Sequence, residues 1–295
     1  MGVVLVLGAA GLLGHRLVAR LAEWGFGVVG TVRAHHDRSV WQALAHFGRM
    51  EVIDDVRDVH ALRVLMTETR AEAVVNCVAT PARTGLSVVQ QTETNALFPH
   101  RLASEVCDPA GARLLHVSTD AVFNGTSGPY REDSTVGPST IYGCTKFLGE
   151  ISYGRHVTVR TSLYGREVVS RRGLVEWLLS ARGQISGYRH VLFSGVTADT
   201  MARFAAERLL CGEVSGLIHL GAAPISKYDL LRLLAAEFRL PVEIAPLDVP
   251  VGDWSLHSIR TDVAAFRVPD HEQMVAELGR TSREPAFSYV WPPTV

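Results

Sequence analysis

Apolar residues recur along this chain in two rhythms. Short runs of apolar and β-branched residues appear at Val3-Val4-Leu5-Val6-Leu7, Val28 to Val32, Ala73 to Val78, Leu114 to Val117 and Val157 to Arg160. Runs without strict alternation suit strands buried on both faces of a parallel sheet. Between them apolar positions return at helical spacing, as at Leu13, Leu17 and Leu21. A third strand is expected around Glu51 to Asp54. Strands and helices in alternation, joined by right-handed crossovers, predict an α/β fold with a doubly wound parallel sheet. Past residue 165 the rhythm loosens. Helices are expected over 174–181, 200–210 and 227–238 and a short strand over 217–220. The chain from Pro241 onward is Pro-rich and polar by turns. The pattern predicts a first domain over 1–165, rejoined by some later segments, and a smaller α/β lobe over 166–295.

The predicted strand ends carry the polar chemistry, where open parallel sheets bind ligands. The first strand runs into Gly8-Ala9-Ala10-Gly11-Leu12-Leu13-Gly14 and then a helix. In that setting Gly8 permits the tight turn, Gly11 lets backbone approach a pyrophosphate, and Gly14 allows close helix–strand contact. Leu12 and Leu13 belong to the same cofactor-binding turn. The second strand ends at Arg33 with no acid before Asp37. An acid there selects NAD by its ribose hydroxyl, and a base suits the 2′-phosphate of NADP. NADP(H) is therefore expected over NAD(H). Asp55 is placed to accept from the adenine amino group with Val56 against the ring, and Asp58 to cap the next helix. Ala79 and Thr80 follow the fourth strand, where backbone passes close to a cofactor, and the fifth strand ends in Ser118-Thr119-Asp120.

Tyr142 and Lys146 stand four residues apart, which puts them on one helix face. A phenol near its ordinary pKa of about 10 is a weak acid, and an ammonium beside it would lower that value. Such a pair can exchange a proton with a carbonyl or carbinol oxygen. Other polar residues suit structural roles: His15 a surface helix position, His116 a satisfied interior strand position, and Arg166, Arg171 and Arg172 either a solvated loop or a contact to a nucleotide diphosphate. Trp177 is a candidate for the sugar site, although its spacing with Leu174 and Leu178 also suits a core position.

Composition narrows the class. The 295 residues are 47% hydrophobic and 20% charged, with a formal net charge of −1. That fits a globular protein with a sizeable core and offers no electrostatic footprint for nucleic acid or an anionic membrane. Cys77, Cys107, Cys144 and Cys211 are scattered, as expected of reduced thiols in a cytoplasmic protein. No metal-ligand spacing stands out.

These motifs together resemble the extended short-chain dehydrogenase/reductase superfamily, and within it the dTDP-4-dehydrorhamnose reductase branch. The resemblance covers about residues 1–240. It rests on Gly8-x-x-Gly11-x-x-Gly14, Asp55-Val56-Arg57-Asp58, Ser118-Thr119-Asp120-Ala121-Val122-Phe123-Asn124-Gly125 and Tyr142-Gly143-Cys144-Thr145-Lys146 with Gly149-Glu150. Arg160 to Gly165, Ile218 to Gly221 and Ile225 to Tyr228 add to it. The resemblance implies a Rossmann-type fold and NADPH-dependent reduction of a keto group on a nucleotide-linked deoxysugar. It implies a catalytic set of Thr119, Tyr142 and Lys146, with Lys146 also holding the nicotinamide ribose. Asn95 is placed with the cofactor-binding set, supporting the active-site helix. Ala121, Phe123 and Trp177 are the expected substrate contacts. Ala121 stands where the branch usually has Tyr, and Pro81 to Gly85 lacks the acids often found there. Rival expectations are a sugar-nucleotide epimerase or dehydratase on the same fold and a non-catalytic NADP-binding subunit. Several superfamily members dimerise through helices of the first domain, which suggests a homodimer.

Overall fold

A computed structural model describes residues 1–81, 85–169, 171–210 and 214–284. The segment 82–84, Cys211 and the Trp291-Pro292-Pro293 end lie outside the described residues. The centre is a seven-stranded parallel sheet built on β1 (Val3–Leu7), β2 (Gly27–Val32), β3 (Arg49–Val52), β4 (Ala73–Asn76), β5 (Arg113–Thr119) and β6 (Val157–Thr161). The strand Gly216–Leu220 returns from the later chain to pair with β6, giving the order 216–220, β6, β5, β4, β1, β2, β3. The direction of winding reverses between β1 and β4, and a crevice opens at such a switch point.

The unalternating strand sequences have a direct cause. In β1, Val4 and Val6 face one core while Leu5 and Leu7 face the other. The first core includes Leu17, Val18 and Leu21 of the helix Gly14–Glu23 and Met201, Ala202 and Phe204 of the helix Ala198–Phe204. The second includes Leu62 and Met66 with Phe98, Leu102 and Val106. Both faces are covered, so neither rank of side chains can be polar.

The smaller lobe has its own core of Tyr164, Val175, Leu178, Phe193, Leu230, Leu234, Val275 and Leu278. Three of its elements escaped the sequence pattern: the parallel pair Gly183–Tyr188 with Val242–Leu247, and the helix His271–Thr281. Buried charge ties the helix Ala198–Phe204 to the first helix. Asp199 Oδ1 accepts from Arg16 Nη2 (2.8 Å) and Nε (2.9 Å) and from Arg20 Nε (2.9 Å). Arg16 also donates to Glu284.

Candidate active site

At the carboxyl end of β1 the chain turns through Gly8, whose φ is +78°. A Cβ on Gly14 would lie 2.1 Å from Gly8 O, so only glycine lets the helix begin this close to the turn. The turn forms one side of a cavity of about 1440 Å³ lined by residues from both domains. This exceeds the range of about 300–1,000 Å³ common for single small ligands and leaves room for two side by side.

The sequence-derived cofactor residues fall on this cavity with two exceptions, Gly14 and Asn95. Gly8, Gly11, Leu12, Leu13, Arg33, Asp55, Val56, Ala79 and Thr80 all line it. Gly14 lies just behind, in contact with Gly8. Arg33 is exposed at the rim. The Asp55 carboxylate accepts from Arg57 Nε and Nη2, both at 2.9 Å. Asp58 accepts from the His60 and Ala61 N–H groups and caps the following helix. Asn95 does not line the cavity. It is fully buried, in a wide helical turn over Glu93–Leu97. Its Oδ1 accepts from Thr80 N (2.9 Å), and its Nδ2 donates to Thr80 O (3.2 Å) and Thr145 Oγ1 (3.1 Å). It braces the loop after β4 against the helix Ile141–Leu148. Asn95→Ala should strand the Thr80 N–H and cost about 1–3 kcal/mol, measured as a lower urea midpoint with the slope unchanged.

The helix Ile141–Leu148 is capped by Thr140, whose hydroxyl accepts from Gly143 N at 3.0 Å. Gly143 is required because a Cβ there would meet Ala121 O at 2.1 Å. Close packing on the turn after β5 brings Tyr142 beside Thr119. Thr119, Tyr142 and Lys146 all face the cavity.

The electrostatics differ from the sequence expectation. Burial, followed by the negative charge of Asp120, raises the Tyr142 pKa to about 12, against the lowering effect of the Thr119 hydrogen bond. Lys146 does not depress it. The Lys146 ammonium is 1% exposed and turned toward β5, donating to Val117 O (2.7 Å) and His116 Nε2 (3.2 Å). Burial lowers its own pKa to about 8. His116 is driven well below its ordinary value by burial and by Lys146, so it accepts as a neutral ring. Sequence reading placed His116 in the interior but missed that it holds the lysine.

Two proposed substrate contacts are elsewhere. The chain turns inward after Thr119 through Asp120–Val122, and Ala121 does not line the cavity. Phe123 is 1% exposed, stacked on Tyr130 at 4.1 Å between centroids with Arg160 over its ring. Trp177 does line the cavity, at 42% exposure, and is not a core residue. His15 is fully buried, with Nδ1 2.9 Å from Gly11 O, because a second helix covers its face of the first. Arg166 pairs with Glu176, while Arg172 reaches the cavity. Ser162, just after β6, and Tyr188, Lys227 and Trp254 of the lobe also line it and were not anticipated as site residues.

Residues 1–250 match the family model described as the RmlD substrate binding domain. The chain belongs to that family. A dTDP-4-dehydrorhamnose reductase of Streptomyces griseus is 37% identical over 50% of this chain, a match that spans 43% of that protein. A probable dTDP-4,6-dihydroxy-2-methyloxan-3-one 4-ketoreductase of Streptomyces antibioticus is 32% identical over 93% of this chain and 86% of its own. The methionine adenosyltransferase 2 subunit beta of Xenopus tropicalis is 28% identical over 84% and 76%. Among solved structures, a Bacillus anthracis dTDP-4-dehydrorhamnose reductase in complex with NADP aligns with a TM-score of 0.75 at 18% identity, over 95% of this chain and 99% of that one. This family member therefore shares the extended short-chain dehydrogenase/reductase fold. Among the described residues, no group of His, Cys, Asp and Glu is disposed to hold a metal, and no helix is long and apolar enough to cross a membrane.

Proposed function

We propose that this chain is an NADPH-dependent reductase acting on a keto group of a nucleotide-linked deoxysugar, of the 4-keto-6-deoxyhexose type. The observation that carries the reading is the placement of Thr119, Tyr142 and Lys146 on the same cavity as the glycine turn. Residues 1–165 would hold the cofactor and the lobe over 166–295 the sugar. The close-packed Gly8 and Gly14 turn and the rim position of Arg33 fit a dinucleotide phosphate. When bound, a reduced nicotinamide supplies hydride. Tyr142 keeps its proton through the neutral range and gives it to the oxygen of the reacting carbonyl. The Thr119 hydroxyl, which donates to Asp120 Oδ1 at 3.1 Å, would turn to that oxygen and stabilise its developing charge. Lys146, held by His116 and Val117 O, presents a fixed positive charge toward the cofactor ribose. Relatives named as reductases and 4-ketoreductases support the substrate class.

The cofactor part is tested by calorimetry with NADPH and NADH. NADPH should bind more tightly, and Arg33→Ala should remove about 1.5–3 kcal/mol of that preference, the worth of a charged hydrogen bond. Equal binding of the two by the unaltered protein, or a preference that survives the substitution, would remove Arg33 from the account.

A further inference from the structure

Ser118, Arg160 and His219 stand in register on three neighbouring parallel strands, β5, β6 and Gly216–Leu220. The row lies one residue before Thr119. Glu150, just past the helix Ile141–Leu148, bridges two of its members. Its Oε1 accepts from Ser118 Oγ (2.7 Å) and from Arg160 Nε (2.8 Å), and its Oε2 accepts from Arg160 Nη2 (2.7 Å). Arg160 Nη1 lies 3.3 Å from His219 Nε2. The carboxylate and guanidinium side chains are 8% and 3% exposed. The backbone before Glu150 is closely held. Gly149 ends the helix, and a Cβ there would lie 1.9 Å from Asn95 O.

A buried ion pair is costly to desolvate and is weak evidence for stability. This one has a third member, and that member adjoins the reacting residues. Ser118 stands between Thr119 and Val117, whose carbonyl oxygen accepts from Lys146 Nζ at 2.7 Å. Strand alternation sends His116 and Ser118 to one face of β5. The strand is therefore gripped twice on that face, at His116 by Lys146 (3.2 Å) and at Ser118 by Glu150. We propose that Glu150 is a positioning residue for the reduction: through Ser118 it fixes the Val117–Thr119 backbone, so that Lys146 and Thr119 keep their places in the reacting set. This rests on the keto-sugar reading and deepens it.

The test is a double-mutant cycle on the full chain, read with NADPH and a dTDP-4-keto-6-deoxyhexose. Ser118→Ala removes the tether and leaves the ion pair. Glu150→Asp keeps the charge and draws the carboxylate back by one methylene. Each should lower kcat by about 10–100-fold, the cost of a small displacement at a reacting group, with KM little changed. The double variant should be no slower than the slower single one. Losses that multiply in the double variant, or an unchanged kcat in Ser118→Ala, overturn the proposal. Should Glu150→Asp fail to fold, Glu150→Gln, of the original length, takes its place in the cycle. Should the unaltered chain oxidise no NADPH, the reductase reading fails by itself, and methyl NMR of labelled threonine decides the tether. Substitution of Glu150 should then shift the Thr119 signal, and an unmoved signal overturns the proposal.

Discussion

Tyr142→Phe should lower turnover by about 10²–10⁴-fold, the usual worth of a positioned general acid, while NADPH affinity and folding stay as they were. The ring is held by the helix Ile141–Leu148 against the turn after β5, and phenylalanine keeps that packing. What disappears is the hydroxyl that meets Thr119 and faces the cavity. Burial and Asp120 hold the phenol at about 12, so Tyr142 is a proton carrier across the neutral range and is suited to donation. Single-turnover oxidation of NADPH with a keto-sugar nucleotide measures the chemical step, and calorimetry measures the binding. Normal turnover in the variant would move the acid to another group, with Asp120 the next to examine because burial raises its pKa.

Asp199→Ala should cost about 3–5 kcal/mol of stability, the range for removing one partner of a buried ion pair. Asp199 is 2% exposed and serves both Arg16, 3% exposed, and Arg20. Without it two guanidinium groups lose their shared acceptor in the interface between the helices Gly14–Glu23 and Ala198–Phe204. Burial alone would raise the Asp199 pKa, but the charges and hydrogen bonds of Arg16 and Arg20 bring it below its ordinary value. A depressed carboxyl contributes stability that is complete above its unfolded-state pKa and is lost as pH falls through the folded-state value. The unaltered protein should therefore lose stability in acid more steeply than Asp199→Ala. Urea unfolding near neutral and in acid measures both effects, and an unchanged midpoint at neutral pH would show that the network carries little.

The sheet was legible because parallel strands covered on both faces leave an unmistakable trace in Val3–Leu7 and Ala73–Asn76. The strand ends were legible for the same reason: a sheet aligned in one direction gathers Gly8, Arg33, Thr80 and Thr119 at one edge. The lobe was harder. Gly183–Tyr188 carries two glycines, and Val242–Leu247 contains Pro246, so each reads as a turn until its distant partner is known. The helix His271–Thr281 did leave a signal, the capping box of Asp270 and Gln273, which its Pro-rich surroundings obscured. Within the site, spacing told that Tyr142 and Lys146 share a face but not which neighbours they meet. Lys146 turned to His116 and Val117 O, residues thirty or so positions earlier. Ala121 and Phe123 left the cavity because the chain folds inward after Thr119, a turn that no periodicity announces. Lys227 read as the start of an amphipathic helix and as part of the Ile225 to Tyr228 motif, not as a site residue; its place on the cavity depends on the fold of the lobe.

The central claim is that this cavity moves hydride from reduced cofactor to a sugar ketone. The most direct measurement uses NADPH deuterated at the transferred C4 position with a dTDP-4-keto-6-deoxyhexose, followed by mass and NMR analysis of the sugar nucleotide. The account predicts deuterium on the carbon that carried the ketone, in step with oxidation of NADPH. Unconsumed NADPH, or a changed sugar without deuterium at that carbon, would contradict it.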